Sequence, residues 1–316
     1  MNKKSDGEAL LPMHTAGKRK TNETYWVVLV TVTNFVSYST WTLLNKAQYT
    51  KFDLTFTILP TSLQMLYVGA LSWLLLALQG QTPRTNRDTL VHRIGPLGLV
   101  RSADIGFGNA ALRLVTVPLQ QVLKSTIPVH VCVLKRFLGT PISTMVWLSL
   151  IPIVGGVALA VGQASGGETV VVGVVLALIS CFARAGKAIL NERLLSAGTA
   201  REKLSTLTIM ALESPTSGCI LLVAGILVEG SLMMQWQGNL LAVVAYNAVC
   251  ALCMFLNQWS YISIIQHTSS VTCQILMNVK MILLIVTSSV LLQTPLSFVQ
   301  IMGMIIATTG CIGYAM

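Results

Sequence analysis

Apolar residues run through this chain in long, nearly unbroken blocks separated by short polar gaps. Ten such blocks lie at about 26–48, 54–79, 93–113, 117–137, 142–162, 170–192, 204–228, 237–264, 270–292 and 296–315. Each is close to the ~20 residues that a helix needs to cross the hydrocarbon of a bilayer. The blocks do not alternate with period two over about ten residues, so they are not the strands of a membrane β-barrel. The pattern predicts an all-α membrane protein with ten transmembrane helices. The gaps are too short for a soluble domain.

Composition agrees: 53% of the 316 residues are hydrophobic, 10% are charged and the mean hydropathy is +0.71. A soluble chain would carry about a quarter charged residues. Residues 1–24, "MNKKSDGEALLPMHTAGKRKTNET", are polar and basic and are expected to form a flexible tail. No apolar core with a cleavage site precedes the first block, so the tail does not read as a signal peptide. Within it, Asp6, Leu10 and Leu11 fit an acidic dileucine signal for a sorting adaptor. The Cys250-Ala-Leu-Cys253 pair has the spacing of a redox or zinc motif, but it lies inside an apolar block without histidine partners. Small-residue helix packing explains it better. No metal or cofactor is implied.

The net charge of +10 bears on topology, not on nucleic acid. With the tail placed in the cytosol, cytosolic segments hold thirteen Lys and Arg residues, and the opposite side holds only Lys51 and Arg113. That asymmetry satisfies the positive-inside rule with both termini cytosolic.

Six basic residues remain inside the blocks: Lys46, Arg101, Lys124, Arg184, Lys187 and Lys280. Only Asp104 and Glu213 oppose them there. Arg101 and Asp104 are three apart on one helix and are expected to pair. Lys46, Arg184 and Lys187 lie toward helix ends, where long side chains snorkel to the interface; they are candidate gate or secondary basic contacts. Lys124 and Lys280 have no such escape, and a charge at such depth costs roughly 2.5–3.5 kcal/mol on insertion scales.

Shifting the chain against itself by 154 residues sets "VPLQQVLKSTIP" (117–128) on "VTCQILMNVKMI" (271–282) and "TPIS" (140–143) on "TPLS" (294–297). The shift equates the fourth and fifth blocks with the ninth and tenth. It implies two five-helix halves, 25–162 and 163–316, inserted with opposite orientation around a central cavity. Inverted repeats of this kind build transporters whose substrate site lies near the midplane. Each half then supplies one deep lysine, Lys124 or Lys280. Two ammonium groups ~7 Å apart at an effective dielectric near 20 repel by about 2.4 kcal/mol. A bound phosphate or diphosphate relieves that repulsion and satisfies both donors. An empty cavity would then close reluctantly, which favours counter-exchange of two anions. In the alternative, one lysine pairs with Glu213 or caps a carbonyl. Asn109, Asn257, Gln258, Tyr261, Gln274 and Asn278 are candidates to read the rest of a substrate, although amides in lipid also serve as interhelical links. His130 reads as a packing residue.

Four stretches resemble a known family: "TLLNKAQY" (42–49), "GNAALRLVTVPLQQVLKSTIP" (108–128), "RAGKAIL" (184–190) and "LNQWSYISIIQHTSSVTCQILMNVK" (256–280). Together they resemble the drug/metabolite transporter superfamily, in its triose-phosphate and nucleotide-sugar translocator branch. The resemblance implies that Lys124 and Lys280 bind the phosphate of the substrate. Departures are informative. In plastid phosphate translocators the ninth-span lysine is followed by arginine, where this chain has Met281. Their third-span histidine and threonine fall on Ile105 and Gly108, and their eighth-span tyrosine on Leu256. The Gly-Ala-Leu-Asn-Lys run of GDP-mannose carriers is absent. The resemblance therefore points to a Golgi or endoplasmic-reticulum antiporter that brings in a nucleotide sugar and returns a nucleoside monophosphate. The alternative is a sugar-phosphate/phosphate exchanger of a plastid-type membrane, with an endosomal location also open. A cation exporter would need an acid in the first span, and an integral-membrane enzyme would need a motif that is missing.

Overall fold

The computed structural model describes residues 13–81, 90–139, 144–162, 167–196, 204–268, 273 and 276–277. These fold as helices: α1 (Met13–Lys51), α2 (Ile58–Leu78), α3 (Gly95–Leu114), α4 (Val117–Lys124), α5 (Ile127–Phe137), α6 (Thr144–Gly162), α7 (Gly167–Ser196), α8 (Thr206–Gln235) and α9 (Leu240–His267). A π-helical turn, Leu90–Ile94, leads into α3. Among the described residues, five helical stretches are long and apolar enough to cross a membrane: Tyr25–Lys51, Ile58–Leu78, Gly167–Leu195, Thr206–Gln235 and Leu240–His267. The ninth and tenth blocks fall almost wholly outside the described residues, as do Asp6, Leu10 and Leu11.

Burial is reversed relative to a soluble protein. Val171, Val175, Phe182, Val223, Leu227 and Met234 face outward, while Asn34, Asn45, Gln64, Asn191 and Asn247 are buried. Lipid rather than water accounts for an apolar exterior of this extent.

Two boundaries differ from the hydropathy pattern. Helix α1 begins at Met13, so the helix takes in the second half of the polar tail. The fourth block is not one helix: it breaks at Ser125–Thr126 into α4 and α5. Pro128 causes the break, because it offers no N–H to the Lys124 carbonyl one turn earlier. Pro118 and Pro128 each sit in the first turn of their helix, where a missing N–H does no harm.

Packing joins α1 to α9, α3 to α7 and α2 to α8, with further contacts of α2 with α9 and of α3 with α8. Exchanging α1, α2 and α3 for α7, α8 and α9 maps this set of pairs onto itself. Helices α2 and α8 approach so closely that a Cβ on Gly69 would fall 2.5 Å from Pro215 Cγ. Glu229 on α8 then closes one end of the bundle. Its Oε1 accepts from Thr57 N at 2.7 Å, and its Oε2 accepts from Ile58 N at 2.7 Å and Leu59 N at 3.1 Å. These are orphan donors of the first turn of α2, whose own N-cap residue supplies no side-chain bond.

Candidate anion-binding site

Helices α1, α3, α7 and α9 surround a small cavity lined by Trp41, Arg101, Asp104, Ile105, Arg184, Lys187, Met254, Asn257, Gln258 and Tyr261. Trp41 is fixed on the wall by a chain of amides. Its Nε1 donates to Gln64 Oε1 at 3.0 Å, and Gln64 Nε2 donates to Asn45 Oδ1 at 2.9 Å and Asn247 Oδ1 at 2.7 Å. All three polar capacities used on Gln64 tie α2 to α1 and α9, and nothing in the sequence signalled this.

The charged groups pair differently from the spacing rule. Arg101 does not bond Asp104, its neighbour on α3. Its Nη1 lies 3.5 Å from Glu213 Oε1 on α8, and its Nη2 donates to Gln258 Oε1 on α9. Gln258 Nε2 in turn donates to Glu213 Oε2 at 3.2 Å. Asp104 instead takes Arg184 Nε on α7 at 3.0 Å and Ser180 Oγ at 3.2 Å. Asp104 and Glu213 thus each have an arginine from another helix. Arg101, Asp104 and Glu213 are all at most 2% exposed.

The snorkelling expected of Lys46, Arg184 and Lys187 does not occur. Lys46 Nζ donates to the Leu112 carbonyl at 2.8 Å and to the Val115 carbonyl at 3.4 Å, closing the C-terminus of α3. Arg184 is held in the cavity wall by Asp104. Lys187, only 6% exposed, also lines the cavity and sits over the Tyr261 ring, 5.2 Å from its centroid.

Lys124 ends the eight-residue helix α4, where the helix dipole favours a cation. Its Nζ donates to Tyr38 OH at 3.1 Å and Gln120 Oε1 at 3.3 Å, both neutral. The Tyr38 hydroxyl donates onward to Gln121 Oε1 at 3.2 Å, and its ring packs on Trp41 with centroids 6.1 Å apart. Lys124 therefore stands one side chain behind the cavity wall, linked to it through Tyr38 and Trp41.

Of the other candidates, Asn257 and Tyr261 line the cavity, and Asn257 accepts from Asn34 Nδ2 through its side chain at 3.1 Å. Asn109 is not a lining residue; its Nδ2 donates to Thr61 Oγ1 at 2.7 Å and links α3 to α2. Lys280, Asn278 and Gln274 lie outside the described residues. Sequence reasoning raised the buried charges but passed over Trp41, Tyr38 and Gln64, which carry no periodic or compositional signal.

A helical bundle with an apolar exterior and a buried, charged cavity defines a multi-pass membrane protein with a polar interior site. This chain belongs to the Triose-phosphate Transporter family, whose sequence profile matches residues 26–315; the family is one of transporters, not enzymes. It is 30% identical over 230 residues to UDP-galactose transporter 1 of Arabidopsis thaliana, covering 70% of this chain and 66% of that one. A GDP-mannose transporter of the same plant is also 30% identical, with 70% and 64% covered. The match thus spans just under two thirds of either relative. A probable sugar phosphate/phosphate translocator of the same plant is 26% identical over 284 residues, covering 86% of this chain and 89% of that one. A crystal structure shares the fold at a TM-score of 0.62 and 16% identity, covering 92% of this chain and 96% of that chain.

Proposed function

We propose that this protein is a secondary antiporter for phosphorylated organic anions, which imports a nucleotide sugar in exchange for a nucleoside monophosphate by alternating access. One observation carries the reading. Among the described residues, three buried cations, Arg101, Lys124 and Lys187, and the partly exposed Arg184 cluster with two buried carboxylates, Asp104 and Glu213, while a third buried carboxylate, Glu229, is spent on the first turn of α2 at the end of the bundle. The arginines are paired, so the surplus rests on Lys124 and Lys187, whose contacts are neutral or aromatic. Enclosed positive charge without a counter-ion is costly, and a multiply charged phosphate group supplies what is lacking.

In this reading the chain is a ten-span bundle of two inverted halves, 25–162 and 163–316, behind a cytosolic basic tail at 1–24. Lys280 from the second half complements Lys124, with Asn278, Gln274, Asn257 and Tyr261 around the rest of the cargo. The self-mapping of helix contacts supports the repeat. Relatives named for UDP-galactose and GDP-mannose support a nucleotide sugar as cargo, and a Golgi or endoplasmic-reticulum membrane suits such a cargo. Asp6, Leu10 and Leu11 would serve a sorting adaptor.

A second reading, exchange of a sugar phosphate for inorganic phosphate, is favoured by relatives named as sugar phosphate/phosphate translocators that match 86% of the chain. Proteoliposomes separate the two. External UDP-sugar should release preloaded UMP in the first case, and external triose phosphate should release preloaded phosphate in the second. Release of neither would refute anion exchange.

A further inference from the structure

The two buried carboxylates of the charged cluster, Asp104 and Glu213, are not equivalent. Glu213 engages Arg101 with one oxygen and Gln258 with the other. Asp104 lies on the cavity wall within Coulomb reach of three cations, Arg184, Lys187 and Lys124. Its Oδ1 takes both Arg184 Nε and Ser180 Oγ, and Oδ2 takes no hydrogen bond from a described residue. Ser180 Oγ also donates to the Asp104 carbonyl at 2.7 Å, which fixes the carboxylate against α7. Gly108, one turn further along α3, leaves room for Ser180: a Cβ there would lie 2.9 Å from its Oγ.

We infer that Asp104 is a resident counter-anion: it occupies the cavity's cations until cargo arrives, and it thereby sets how strictly the carrier's return step requires a load. The inference rests on the proposed anion exchange. With Asp104 and Glu213 ionised, the described cluster carries four positive and two negative groups, and a dianionic cargo brings it to neutrality. The cost of enclosing charge scales roughly as its square. In units of a single enclosed charge, loading changes that cost from about 4 to about 0 in the wild type, and from about 9 to about 1 once Asp104 is neutral. Adding Lys280 to each total leaves the order unchanged. Asp104 therefore narrows the gap between the empty and loaded return steps, and it competes with the cargo for the same cations.

Three proteins test this: the wild type, Asp104→Asn, and Asp104→Asn combined with Arg184→Gln, which restores the charge balance of the broken pair. The first readout is the ratio of nucleotide-sugar uptake into vesicles preloaded with UMP to uptake into empty vesicles. The second is the half-saturating concentration of inorganic pyrophosphate in a thermal-shift titration. The ratio should rise about tenfold in Asp104→Asn. Half-saturation should fall about tenfold in Asp104→Asn, and both readouts should return toward wild type in the double variant, whose net charge equals that of the wild type. If Asp104 only anchors Arg184, binding weakens in Asp104→Asn instead of tightening, and the inference fails. Unchanged ratio and half-saturation in an Asp104→Asn protein that remains folded overturn it equally, while wild-type exchange leaves the transport reading standing. A wild-type protein that neither binds nor exchanges any phosphorylated anion overturns both.

Discussion

Lys124 is 6% exposed and its Nζ faces a phenol hydroxyl and an amide oxygen. Neutral partners solvate an ammonium group without cancelling it, so the charge stays available to an anion. Hydrogen bonds to a charged group contribute about 1.5–3 kcal/mol, which corresponds to roughly a tenfold to hundredfold change in binding. Lys124→Gln keeps a donor near Tyr38 and removes the charge. Its exchange rate should fall by at least tenfold with membrane insertion intact, and half-saturation for the cargo should rise by a similar factor. Wild-type rates in that variant would take Lys124 out of the binding step. At this scale the sequence was readable wherever a charge interrupted an apolar run, because the cost of burial marks the residue by itself. Pairing was not readable. Arg101 and Asp104 have the spacing of a helical ion pair, yet each turns to a partner on another helix, Glu213 and Arg184 respectively. Local spacing reports which groups can meet, and tertiary contact decides which do.

Helices α2 and α8 illustrate how an element is held from outside its own sequence. Thr57 makes no side-chain cap for α2, and the carboxylate of Glu229, more than 170 residues away in the chain, accepts from three first-turn amides instead. Glu229 is also buried, so losing it leaves those donors without water to replace it. Leaving a buried donor unmade costs about 1–3 kcal/mol. Glu229→Ala should therefore lower the unfolding temperature in detergent by several degrees, with Glu229→Gln intermediate because one acceptor oxygen remains. An unfolding temperature equal to the wild type would show that the cap is not used. The hydropathy pattern ended its seventh block at residue 228, one short of this carboxylate, because a helix whose last turns are merely less apolar looks like a loop. The break between α4 and α5 was hidden for the opposite reason: apolar residues continue through it, and only Pro128 marks the place.

Across the whole molecule the contact scheme matters more than any one helix. The cavity is walled by α1 and α9 on one seam and by α3 and α7 on the other, and these two seams exchange when α1, α2 and α3 are traded for α7, α8 and α9. The packing is thus compatible with the proposed repeat, since two-fold related helices would need matching shapes and not matching residues. If the halves rock about the site, the α3–α7 seam must loosen on one side during each cycle. A disulfide across it tests this directly. A Cβ on Gly108 would lie 3.8 Å from Ser180 Cβ, close to the mean separation found in disulfides. Gly108→Cys with Ser180→Cys should cross-link under oxidant, and exchange by the oxidised protein should fall at least tenfold below that of the same protein reduced. Comparing one variant with itself removes any effect of the substitutions on Asp104, which Ser180 anchors. Reductant should restore exchange, and each single cysteine variant should be indifferent to oxidant. Full exchange by protein shown by mass to be cross-linked would mean that α3 and α7 move as one body, and the moving boundary would then have to be sought at the α1–α9 seam.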